Sequence, residues 1–260
     1  MPKTKRFLLL FLFPGMLFAV VWHIEDMAEI SGLWSDIKFN DPLSQLTQTA
    51  LFPDTLSIIS AWSPIFSSFG IHEGLLYAGS RNIDLSLKTQ HHSLMTNHIL
   101  TAGFPVLREE HILAGLRVNY AFSSVRGYPV QHAGSCSGGV VMRPETQWQI
   151  SLQSLNAISF ADDSSRIFEP CTYASAVFSP GGGLNIAGGL SKRKDLPWQV
   201  YFGISYSLRR VLHISADLEC YTGDLRFSIA LKIKRWHIYE CVRFHPGLGV
   251  SQSIFLSYAY

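Results

Sequence analysis

A transmembrane antiparallel β-barrel of about fourteen strands (or about twelve, the next even count down) is the all-β fold class this sequence predicts. Three observations point to it. From Gln199 to Tyr260 apolar and polar residues alternate almost without a break. That period of two marks strands with one wet and one apolar face. The chain opens on a basic and then apolar stretch of the kind that directs export. The connections between candidate strands sort by length, long ones falling at every second position. A water-soluble sandwich or barrel shares the first property but has no reason to sort its loops.

At the N-terminus, Lys3, Lys5 and Arg6 precede the apolar run Phe7 to Phe13, continued by Met16 to Val21. Residues 1–19 read as a signal peptide cleaved after Ala19, although Leu17 is a poor small residue for that site. A retained anchor is the alternative. Pro14 and Gly15 interrupt the run, which is short for a spanning helix. No other segment is long and apolar enough for one, despite 47% hydrophobic residues and a mean hydropathy of +0.16. Residues 20–54 read as a leader or a lumenal plug carrying Glu25, Asp26, Glu29, Asp36 and Asp41. Short helices are expected at Met27 to Leu33 and at Pro42 to Leu51, the second capped by Asp41. Residues 55–260 form the barrel.

Composition narrows the partners. A net charge of +2 gives no electrostatic footprint for nucleic acid. The 13% aromatic content suits interfacial girdles, and 15% charged residues implies a barrel with modest loops. The expected location is the bacterial outer membrane, with its lipids and the barrel-assembly machinery as partners.

Strands are expected near 55–62, 73–79, 82–89, 97–104, 111–121, 134–142, 146–154, 172–179, 182–190, 198–208, 211–219, 224–234, 236–244 and 249–260. The long connections fall at 63–72, 90–96, 122–133, 155–171 and 191–197; those at 80–81, 105–110, 143–145, 180–181, 209–210 and 234–235 are mostly short. With both ends in the periplasm, the long set faces outward.

Parity then sorts the side chains. A tight turn at Thr222-Gly223 places Glu219 opposite Arg226, His213 opposite Lys232 and Leu218 opposite Phe227. A turn at Lys234-Arg235 places Ile233 opposite Trp236 and Arg226 opposite Arg243. The lumen face therefore carries His213, Asp217, Glu219, Arg226, Lys232 and Arg243, and two adjacent guanidiniums there need carboxylates or an anionic ligand. Ile214, Leu218, Phe227 and Leu231 face lipid. Glu240 falls on the lipid phase and is expected near a rim or at a bulge that flips the phase. In the closing strand, Val250, Ile254, Leu256, Tyr258 and Tyr260 match by family analogy the signal that assembly machinery reads, while Gln252 departs from it.

Other clusters point to no chemistry. Cys220 and Cys241 lie on non-adjacent strands, too far apart for a disulfide; Cys136 and Cys171 leave one open. His91 and His92, adjacent on a strand, point to opposite faces and make a poor metal pair. Gly181, Gly182 and Gly183 read as a turn. Ser135, Ser137, Gly138 and Gly139 lack the Lys and helix of a phosphate loop. Lys192, Arg193 and Lys194 fit a solvated loop or lipopolysaccharide phosphates about equally. No nucleophile elbow supports a hydrolase. No metal, cofactor or catalytic set is expected.

The stretch Pro197 to Tyr260 resembles the C-terminal part of the long-chain fatty-acid transporter family. The phrases are Leu212 to Glu219, Tyr239 to Pro246 and Ser253 to Tyr260, with a loose echo of the family's N-terminal asparagine-proline phrase in Asn40-Asp41-Pro42. The resemblance implies a fourteen-stranded barrel with an N-terminal plug, and uptake of hydrophobic small molecules. A structural envelope role is the sister reading. The alternatives are a lipid-modifying barrel enzyme and a soluble secreted β-barrel or sandwich that binds ligands.

Overall fold

Alternation is the rule that builds this molecule: along almost every strand, shielded and exposed residues take turns. The computed structural model describes residues 49–260 except 52, 65–71, 162–167, 169, 195, 210, 221–222 and 247–248. The strands are β1 (Ser57–Pro64), β2 (His72–Gly79), β3 (Asp84–His92), β4 (Met95–Arg108), β5 (Ile112–Val125), β6 (Gln131–Met142) and β7 (Trp148–Ala161). They continue as β8 (Cys171–Gly181), β9 (Leu184–Arg193), β10 (Gln199–Leu208), β11 (Leu212–Glu219), β12 (Asp224–Ile233), β13 (Trp236–His245) and β14 (Gly249–Ala259). Every strand pairs antiparallel with its chain neighbours, and β1 pairs with β14, closing the barrel. Closure leaves no edge of unpaired amides. The fourteen-strand count holds over the twelve-strand alternative.

The faces are inverted relative to a soluble protein. Outward residues such as Leu76, Leu152, Phe202, Ile204, Ile214, Leu218, Phe227 and Leu231 are exposed and apolar. Inward residues such as Ser135, Ser151, Ser205, Ser215, Arg226 and Arg243 are buried and polar. This is the arrangement of a barrel whose outer solvent is hydrocarbon. Aromatic rings gather toward both ends of the apolar band. Trp62 stacks on His72, and Tyr120 on His132, on one side. Trp148 meets Phe178, and Trp236 meets Tyr258, on the other.

The end carrying Ser57 and Ala259 has connections of two to five residues, and the opposite end has connections of two to nine. The first has the short turns that membrane barrels keep on their periplasmic side. The sorting is weaker than the sequence suggests, because 90–96 and 122–133 are mostly strand. β4 begins at Met95 and β5 runs to Val125, leaving only 93–94 and 126–130 as loops. Some of the polar residues that read as loop there are inward-facing strand residues, Gln90 and Ser123 among them. Asn97 and Ser123 are bonded to each other across β4 and β5, and the Asn97 side-chain amide donates to Gln90 Oε1 at 3.0 Å.

Two other expectations need correction. The β11–β12 connection spans 220–223 rather than two residues, so Asp217 pairs with Arg226, Glu219 with Asp224, His213 with Ala230, and Leu218 with Leu225. The slip is two residues, so faces are preserved while partners change. The β12–β13 hairpin has the expected register, with Ile233 opposite Trp236 and Arg226 opposite Arg243. Glu240 sits neither at a rim nor at a bulge. It lies mid-strand on the outer face, opposite Ile229 and Ile254 in unbroken register. Its carboxylate accepts a hydrogen bond from the Gln252 amide, the other residue that breaks the apolar pattern.

Turn chemistry follows the local sequence. Gly181, Gly182 and Gly183 all adopt positive φ, and a Cβ on Gly183 would strike the Ser207 carbonyl. Asn156 has φ of 51° at a bulge in β7, where the register with β6 shifts between Cys136 and Gly138. Asparagine tolerates this conformation better than most residues. Its side-chain oxygen accepts from Ser135 Oγ at 2.7 Å, and its backbone amide donates to Ser137 Oγ at 2.9 Å. The signal-peptide segment 1–19, most of the leader or plug segment 20–54, and the expected helices apart from Thr49, Ala50 and Leu51 lie outside the described residues.

Candidate functional site: the barrel lumen

The inner wall has three chemical zones. A charged group forms toward the outer end of β11, β12 and β13. Arg243 is fully buried and bridges Asp224 and Glu219, the latter at 3.4 Å, while Arg226 reaches the same Glu219 oxygen at 3.3 Å. Asp217, the register partner of Arg226, is buried beside them. Charges removed from water this far persist only when opposed, and here three carboxylates surround two guanidiniums.

Of the residues singled out from sequence, Asp217, Glu219, Arg226 and Arg243 come together in this group. His213 lies apart, toward the periplasmic end, its Nδ1 2.9 Å from Ser207 Oγ. Lys232 is exposed, close to the end of β12. Asp224 was missed, although its inward parity with Arg226 was readable in the sequence.

A second zone is apolar. Ala61, Leu75, Ala230, Tyr239, Cys241 and Phe255 cluster on the inner faces of β1, β2, β12, β13 and β14. A water-filled pore would carry polar groups at these positions. Alternation by itself treats these residues as ordinary interruptions of a polar face. Only closure of β14 on β1 gathers them into one patch.

The third zone lies on β2, β3 and β5 toward the periplasm. Arg117 Nη2 donates to Asp84 Oδ2 at 2.8 Å, with Tyr77 close by. Nearer the outer end, Glu73 and Lys88 pair at 4.0 Å. Farther along β5, Asn119 links Thr101, Ser135 and Ser137 in a polar network.

Residues 49–51 enter this lumen. Ala50 and Leu51 pack against Leu113 and Val141, and the Thr49 amide donates to Gln153 Oε1 at 3.4 Å. Gly139 has no Cβ to collide with the Thr49 side chain, so the segment seats directly on the wall. An Arg108–Asp54 ion pair ties the chain just before β1 to the end of β4.

Among the described residues no three His, Cys, Asp or Glu side chains are grouped to hold a metal ion. All four cysteines are thiols. Cys171 is buried on the inner face, whereas Cys136 shares the outward phase of Val118.

An apolar exterior around an ion-paired interior admits one solvent arrangement, with hydrocarbon outside and solute or water within. The chain is a transmembrane β-barrel protein of the outer-membrane type. In fold it is similar to the TodX deltaS2S3 mutant monoaromatic hydrocarbon channel, with a TM-score of 0.55 and 9% identity over 85% of this chain and 95% of that one. Looser similarities reach the Acinetobacter baumannii outer membrane protein Omp33 (TM-score 0.49, 5% identity, 79% of this chain and 98% of that one). They also reach the KdgM porin in complex with disordered oligogalacturonate (TM-score 0.43, 10% identity, 78% of this chain and 99% of that one). No protein-family model matches the chain, and no curated protein matches it.

Proposed function

We propose that this protein is a channel for uptake of small hydrophobic molecules across the outer membrane, working by binding and passage and not by catalysis. The observation that carries this reading is the apolar patch on the inner wall, Ala61, Leu75, Tyr239, Cys241 and Phe255 among its members. Burying a small apolar solute against such a surface contributes about 25 cal/mol per Å2 of area removed from water. Three further points support it. The resemblance of Pro197 to Tyr260 to long-chain fatty-acid transporters implies the same class of cargo. The TodX structure is that of a monoaromatic hydrocarbon channel. Residues 49–51 in the lumen suit a plug formed by the segment before the barrel.

The test is uptake in cells whose outer leaflet is intact lipopolysaccharide, which itself resists apolar solutes. Expression should raise the initial rate of toluene entry severalfold over an empty vector. Equal rates with and without a correctly inserted barrel would reject the channel and leave the structural envelope role. A change in membrane-lipid chemistry on expression would instead bring back the enzyme reading.

A further inference from the structure

Tyr77 and Asp84 sit on neighbouring strands at the periplasmic end of the inner wall. Tyr77 is 2% exposed and Asp84 is 1% exposed. Asp84 Oδ2 holds Arg117, but Asp84 Oδ1 and the Tyr77 hydroxyl make no hydrogen bond. Both oxygens are shielded from bulk water, and each keeps hydrogen-bonding capacity that the described residues do not use.

The backbone makes room for both. In register, Gly79 stands opposite Asp84, and Asp84 opposite Gly103. A Cβ on Gly79 would collide with the Tyr77 hydroxyl, and one on Gly103 with the Asp84 carboxylate. Two glycines thus let the phenol lie along the wall over β2 and the carboxylate over β4, a donor and an acceptor on either side of β3. Ile59, fully buried, is the register partner of Tyr77, and Ala61, Leu75 and Phe255 continue the apolar wall beyond it.

We propose that this is a binding site for a neutral alcohol or phenol with an apolar body. The inference deepens the uptake reading and rests on it. A hydroxyl group donates one hydrogen bond and accepts others, so it can give its proton to Asp84 Oδ1 while accepting from Tyr77. A ketone accepts only and leaves Asp84 unmatched. A carboxylate or phosphate meets the Asp84 charge. A hydrocarbon leaves both oxygens unpaired, the costly outcome in a shielded site. The apolar body lies against Ile59, Leu75 and Phe255.

The experiment compares 4-butylphenol with butylbenzene on the full-length protein in nanodiscs, read by isothermal titration and corrected for partition into empty nanodiscs. Wild type should prefer the phenol by about tenfold or more, the size of an unmatched buried hydrogen bond. Tyr77→Phe should cut that preference to about threefold or less, with heat-modifiable migration confirming its fold. Asp84→Asn is the second variant and should also cut the preference. Tyr201→Phe, whose hydroxyl bonds Ser191 and Gln199 elsewhere on the wall, should leave it intact. Equal binding of both probes to wild type, or a preference that survives Tyr77→Phe and Asp84→Asn, overturns the site but leaves hydrophobic uptake standing. Binding of neither probe overturns both.

Discussion

Glu240 is the residue at which this barrel departs most from its own rule. A carboxyl on the lipid face, mid-strand, forfeits hydration, and its one amide partner Gln252 repairs only part of that loss. The flanking residues, Ile229, Ile238 and Ile254, are what a lipid-facing position ordinarily holds. Glu240→Leu should therefore stabilise the folded barrel, by about 1–2 kcal/mol given that acidic residues cost less than the basic ones measured at mid-bilayer. Urea unfolding in lipid vesicles measures this directly; a lower midpoint for the variant would mean that the Glu240–Gln252 pair contributes more than it costs. The inward charges obey the opposite logic. Arg243 is tolerated at zero exposure because Asp224 and Glu219 oppose it.

At the scale of the element, β14 decides whether the barrel closes. It pairs with β13 along its length and with β1 through six register positions, Ser57 to Trp62. Ser257, Tyr258 and Ala259 supply three of those six, and the Tyr260 amide adds a bond to the Leu56 carbonyl at 2.8 Å. Deleting 257–260 removes half of the seam and leaves the start of β1 as an open edge in hydrocarbon, which the bilayer does not accommodate. The truncated chain should accumulate in the periplasm in protease-sensitive form, with sharply lower outer-membrane abundance by fractionation and immunoblot. Normal abundance with protease resistance would show that closure survives on the remaining pairs.

At the scale of the whole molecule, the question is what fills the lumen. Leu51 is 1% exposed against Leu113 and Val141. Leu51→Glu places a charge in that contact and should unseat the segment, since an unpaired buried carboxylate is strongly disfavoured. Single-channel conductance in planar bilayers should rise above wild type, while the barrel keeps its heat-modifiable migration. Unchanged conductance would place the barrier to passage elsewhere along the wall.

The sequence by itself determined the class of fold, the approximate place of each strand, and the facing of most side chains. The physical reason is local: a pleated strand sends alternate residues to opposite sides, so parity survives errors in boundaries and even a two-residue slip in register. Thus Arg226 and Arg243 were legible as a pair, whereas the partner of Arg226 was not. That depended on the length of the 220–223 connection, which no alternation encodes. The extents of β4 and β5 were misread because an inward polar strand residue and a loop residue look alike in one dimension. Tertiary structure decided everything that needs distant strands to meet. The apolar patch joins β1 and β2 to β12, β13 and β14 only through the seam. The Tyr77–Asp84–Arg117 corner spans three strands over two glycines, and the seating of Leu51 depends on the far wall. Such contacts are set by barrel closure and register, which are global properties of the chain and leave no periodic mark on it.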